Sequence, residues 1–143
     1  MTENNIQIDD WFRLRYKRYP SGTEVVRDYQ VSELKRLGLS LCVYGWRIGG
    51  DGELHSQNMG EVEKQEPIPI TQDFLEKNFE KKTFFGIFDD YFDLTIREYS
   101  DSLYIVDYHC CEMALPDQHV TVCFVHELQH FLTHCGIDKE IIL

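Results

Sequence analysis

His126, Glu127, Leu128, Gln129 and His130 spell H-E-x-x-H, the most explicit chemistry in the 143-residue sequence. On a helix, two histidines one turn apart share a face and can bind zinc, while the glutamate between them activates the metal-bound water. Taken alone, the motif predicts a zinc-dependent hydrolase with His126 and His130 as ligands and Glu127 as base. A catalytic zinc also takes a third protein ligand. The extended pattern that supplies one has Gly three and His six residues past the second histidine, where this chain has Thr133 and Gly136. His134 continues the series, but two turns separate it from His126, about 12 Å of rise, too far for the three rings to meet one ion. At about 100° per residue, Phe124, Leu128, Phe131, Leu132 and Cys135 gather on one side of the helix and the three histidines on the other. The sequence therefore favours a histidine stripe turned toward solvent or a partner, with His126, Gln129 and His130 as binding candidates and no metal or other cofactor.

A second candidate lies near the start. Residues 11–16 alternate apolar with basic, so Phe12, Leu14 and Tyr16 share one face of a strand and Arg13, Arg15 and Lys17 the other. With Arg18, and with Trp11, Tyr16 and Tyr19 interleaved, this basic strand has the composition of a phosphate or nucleic-acid contact. The competing and preferred reading is a solvated sheet face that balances acidic groups elsewhere. Asp89, Asp90 and Asp93 lack the spacing and glycine of a calcium loop and read as a turn. Five cysteines, Cys42, Cys110, Cys111, Cys123 and Cys135, show no C-x-x-C spacing, which points to reduced thiols in or near a core.

The elements that must position these groups follow from local pattern. Strands are expected over residues 11–16, 24–31 and 39–48, the first two joined through the turn at Pro20, Ser21 and Gly22. Three strands alone would be marginal, so they are expected to close into a small β-barrel-like, SH3-like sheet or to lean on the rest of the chain. Residues 55–66 lose the hydrophobic pattern and read as a loop, which puts a boundary between an N-terminal β-rich part, 1–65, and a C-terminal α+β part, 66–143. After Pro67 and Pro69, Thr71 can cap a helix over 72–79, with Asp73 in its first turn and Ile70 stapled onto Leu75. Strands over 83–88, 91–99 and 103–110 predict an antiparallel meander. A last strand over 119–122 then precedes a helix over 123–135, closed by Gly136 in the left-handed conformation.

The formal charge is −11, unevenly spread: residues 1–50 carry eight basic and six acidic side chains, residues 51–143 six and nineteen. The acidic part repels nucleic acid and suits a basic partner, but it forms no long acidic run of the kind a DNA mimic would need. No apolar run is long enough to span a bilayer, and the start, MTENNIQIDD, has neither part of a signal peptide, so a cytoplasmic protein with no membrane partner is expected. The oligomeric state is left open.

At Glu66 to Asn78, EPIPITQDFLEKN, and at Val125 to Gly136, VHELQHFLTHCG, the sequence resembles a widespread group of uncharacterised proteins from Bacteroidetes and their phages and mobile elements. The layout is similar: an N-terminal β segment, a central Pro-Ile-Pro-Ile-Thr run leading into a helix, aromatic strands and a terminal Val-His-x-Leu-Gln helix. Relatives often read V-H-x-L-Q-N, which implies that Val125, His126, Leu128 and Gln129 belong to the shared pattern and Glu127 and His130 do not. The resemblance transfers no catalytic residue. With the element pattern, the expectation is an α+β, non-enzymatic binding or accessory protein of a phage or mobile element, against the alternatives of a zinc hydrolase and a nucleic-acid-contacting module.

Overall fold

The alternation at the start of the chain produces strand β1, Trp11–Lys17, in which Phe12 is fully buried and Arg13, Arg15 and Lys17 take the opposite face. The computed structural model describes residues 6–110 and 117–143; the expectation for Cys111 falls outside them. β1 pairs antiparallel with β2, Glu24–Leu37, from Trp11 opposite Gln30 to Lys17 opposite Glu24. β2 runs past the expected end at Val31, because a register shift between Val31 and Glu33 bends the strand and lets it continue beside β3, Ser40–Ile48.

The expected loop over 55–66 is corrected by β4, Leu54–Glu61, which pairs along β3 from Cys42 opposite Glu61 to Ile48 opposite Leu54. Its side chains are mostly polar because it lies at the edge of the sheet, where backbone pairing needs no buried face. A short 3₁₀ turn, Val62–Lys64, leads into β5, Glu66–Pro67, which returns to β1. The order β4-β3-β2-β1-β5 leaves the sheet open, so the expected barrel does not close.

Inside this sheet, Ile6, Phe12, Tyr29, Val31, Val43 and Met59 form the core. Gly45 allows the Tyr29 ring to lie on β3, since a Cβ there would stand 2.3 Å from Tyr29 Cδ2. The Tyr29 hydroxyl donates to Gln65 Oε1 at 2.6 Å, and Gln65 Nε2 donates to the carbonyls of Met59 and Glu61. Burial raises the Tyr29 phenol well above its ordinary pKa. These strands make up a compact unit, Met1–Ile68.

The second unit, Pro69–Leu143, begins with α1, Gln72–Asn78. Thr71 Oγ1 accepts from Phe74 N at 3.2 Å, as the capping signal predicts, and Ile70, Phe74 and Leu75 are buried. Then follow β6, Glu80–Lys81; β7, Phe85–Phe88; β8, Phe92–Ser100; β9, Leu103–Cys110; and β10, Gln118–Val122. They form an antiparallel meander in the order β10-β9-β8-β7-β6. The chain is thus α+β, dominated by antiparallel sheet.

Helix α2, Val125–His134, buries Val125, Leu128, Phe131 and Leu132. Gly136, at φ +75°, closes it, with Ile137 N donating to Leu132 O at 2.9 Å. Buried Asn78 then clamps the chain end: its Nδ2 donates to Ile142 O at 2.6 Å and its Oδ1 accepts from Ile142 N at 2.7 Å. Among the described residues, no helix is long and apolar enough to cross a membrane.

Candidate functional site

The first turn of α2 departs from the expected solvent-facing stripe. His126 is buried, at 6% exposure, whereas His130 is half-buried and His134 exposed. The His126 ring stacks on Phe124, with centroids 6.1 Å apart and planes 13° from parallel, and meets the His130 ring edge-on at 5.6 Å. These two rings cover His126, and Phe124 is itself held in place by the chain segment beside the helix start: Pro69 bridges to Phe124, and Ile70 N donates to Cys123 O at 3.0 Å. The helical wheel treats α2 as covered on one side only and does not take in the N-cap ring of Phe124, which lies over His126. Burial, and then the proximity of His130, lowers the His126 pKa from 6.5 to about 4, so the ring is neutral at pH 7. Cys135, expected inside, is only partly buried at the end of the helix.

Glu127 is engaged locally. Its Oε1 accepts from Cys123 N at 2.9 Å and Phe124 N at 3.0 Å. A glutamate in the third helical position that reaches back to the preceding backbone is half of a capping box, and it satisfies donors that the helix start would otherwise leave open. In a metallohydrolase this carboxylate would have to face the metal-bound water. Gln129 is half-buried, and its carbonyl accepts from Thr133 Oγ1 at 3.1 Å. Among the described residues, no three His, Cys, Asp or Glu side chains come together in a way that could hold a metal ion.

The basic face of β1 is equally committed. Arg13 donates to both oxygens of Asp28, at 2.7 and 3.2 Å, and Asp28 is its direct cross-strand neighbour. Arg15 bonds Glu24 on β2 and, at 3.1 Å, Glu66 on β5. These carboxylates raise both guanidinium pKa values, through Asp28 for Arg13 and through Glu24 and then Glu66 for Arg15. Lys17 stands opposite Glu24 in the register, Arg18 lies in the following turn, and Trp11 is half-buried opposite Gln30. The face is a lattice of ion pairs, with three carboxylates set among its cations.

Two features of the first unit were not anticipated from sequence. On the outer face of β3 and β4, Trp46, Ile48 and Leu54 are exposed at 43%, 68% and 64%, and Ile48 pairs directly with Leu54. On the inner face, Leu14, Tyr16, Arg27, Arg47, Gln57 and Met59 line an open cleft of about 320 Å³. Alternation carried from β1 to β2 would have found Arg27, which lies directly opposite Leu14. Arg47 follows Val43 and Gly45 at two-residue steps on the same face of β3. Comparison of the chain with protein-family models, with curated proteins and with solved structures gives no match.

Proposed function

We propose that the protein is a non-enzymatic binding protein, a cytoplasmic accessory factor of a phage or mobile element of Bacteroidetes. Its SH3-like N-terminal sheet presents the outer face of β3 and β4 to a protein partner. The observation that carries this reading is the contiguous exposed patch of Trp46, Ile48 and Leu54, because adjoining large apolar side chains left in water mark interaction surfaces. Asp51 and Glu53, in the turn that joins the two strands, add negative charge beside the patch. A partner with an apolar contact ringed by Lys or Arg is complementary to it. The placement with phages and mobile elements rests on the resemblance at Glu66 to Asn78 and Val125 to Gly136. The non-enzymatic part is supported by Glu127, whose oxygen caps the helix.

The test is a pull-down from a Bacteroidetes host with the wild-type chain and a Trp46→Ser, Ile48→Ser variant, followed by binding of each purified candidate. A purified partner that binds the wild type and is lost in the variant supports the reading. A set of captured proteins unchanged by the variant overturns it, as does self-association through this patch. Stoichiometric zinc retained through dialysis would overturn the non-enzymatic part and favour the hydrolase.

A further inference from the structure

We propose that the inner cleft of the N-terminal sheet binds a nucleoside phosphate, with Arg27 and Arg47 on the phosphate and Tyr16 against the base. This goes beyond the partner-binding patch, which lies on the other face of the same strands.

Charge compensation is the first reason. Arg13 and Arg15, on the outer face, are each matched by carboxylates. Among the described residues, no carboxylate pairs with Arg27 or Arg47, although the chain has 25 acidic side chains against 14 basic ones. Arg47 Nη1 donates to Gln57 Oε1 at 2.9 Å, a neutral partner that leaves the positive charge in place. Arg27 is half-buried on the face that also holds Phe12, Leu14 and Tyr29. Arg27 and Arg47 thus line one cleft with no carboxylate partner, a place suited to an anion from outside, and guanidinium groups are well matched to phosphate.

The rest of the cleft specifies what the anion is attached to. Leu14 and buried Met59 supply an apolar floor, and Tyr16, 37% exposed, offers an aromatic ring. Base stacking on such a ring tolerates any of the bases. The amides of Gln57 and Asn58 lie in the same lining and can bond a base edge or a ribose hydroxyl. The volume of about 320 Å³ fits one small ligand and no more, since small-molecule pockets begin at roughly 300 Å³.

The experiment is calorimetric titration of the full chain at low salt with nucleoside monophosphates, with inorganic phosphate as control. At least one nucleotide should bind more tightly than inorganic phosphate, and Arg27→Gln and Arg47→Gln should each weaken it about tenfold or more. Tyr16→Ala should weaken the nucleotide and leave inorganic phosphate unchanged. Arg47 and Tyr16 are exposed, so these variants keep the test decisive should Arg27→Gln fail to fold. The Trp46→Ser, Ile48→Ser variant should bind nucleotide as the wild type does, which separates this site from the proposed partner surface. Absence of binding up to about 10 mM nucleotide overturns the proposal. So does equal affinity for inorganic phosphate, or nucleotide binding that ignores both arginines.

Discussion

On the outer face of β1 the ionisable groups remain in water and are matched by carboxylates across the sheet. In the first turn of α2, His126 is taken out of water against Phe124 and His130, and half-buried Glu127 is turned back onto the backbone. Both stretches read as chemistry in the sequence, and each is occupied by its own fold in a different way. The difference predicts very different energetics. Exposed pairs are screened by solvent and each contributes little, whereas a buried titratable ring couples its protonation to the stability of everything packed around it.

The largest expected effect is therefore the acid sensitivity of the α2 region. Folded His126 has a pKa of about 4, against 6.5 when unfolded, so between these values the unfolded chain binds the extra proton. The contribution is fully present above pH 6.5 and declines as the pH falls, with about 3 kcal/mol lost by pH 4. His109 has the opposite sign. Asp117 raises its pKa, so its contribution is complete below pH 6.5 and is lost as the pH rises through the folded value. Because His109 is exposed, its share is minor. Urea unfolding of the wild type and His126→Phe between pH 7.5 and 4 isolates the His126 contribution. The variant should lose markedly less stability than the wild type, and parallel curves would break the contrast between the two regions.

Next in size is the cap. Glu127→Ala removes the acceptor for Cys123 N and Phe124 N and should cost about 1 kcal/mol, while Glu127→Gln, which keeps an oxygen there, should cost less. The loss should be the same with and without a chelator. A destabilisation that appears only when zinc is present would return Glu127 to the neighbourhood of a metal.

What the sequence made legible were features set by neighbours along the chain. Alternation in Trp11 to Tyr16 gave β1, Thr71 gave the start of α1, and Gly136 gave the end of α2. β4 was hidden because its stability comes from the backbone ladder with β3, which the polar run His-Ser-Gln-Asn does not advertise. His126 is covered by the rings of Phe124 and His130, and Phe124 is bridged to Pro69, more than fifty residues away, a segment no helical wheel contains. Glu127 was readable in principle. Starting the helix at Cys123 hides it in the body, whereas starting at Val125 puts it at the capping position. Likewise, the composition of β1 displayed Arg13 and Arg15 but not their partners, since Asp28 and Glu66 reach them only through the sheet.

The smallest expected effect sharpens the same contrast from the other side. Arg13→Ala combined with Arg15→Ala should leave stability nearly unchanged, because these pairs lie in high dielectric and ordering their side chains offsets much of the attraction. Removing the guanidinium groups leaves Asp28, Glu24 and Glu66 in water, where a carboxylate needs no partner. Nucleic-acid affinity at low salt should also be weak and little altered by the double substitution, since three carboxylates already neutralise this face. Anisotropy titrations with mixed DNA and RNA provide the check. Micromolar binding that disappears in the double variant would mean that these ion pairs open for phosphate, and the outer face of β1 would then be a binding surface.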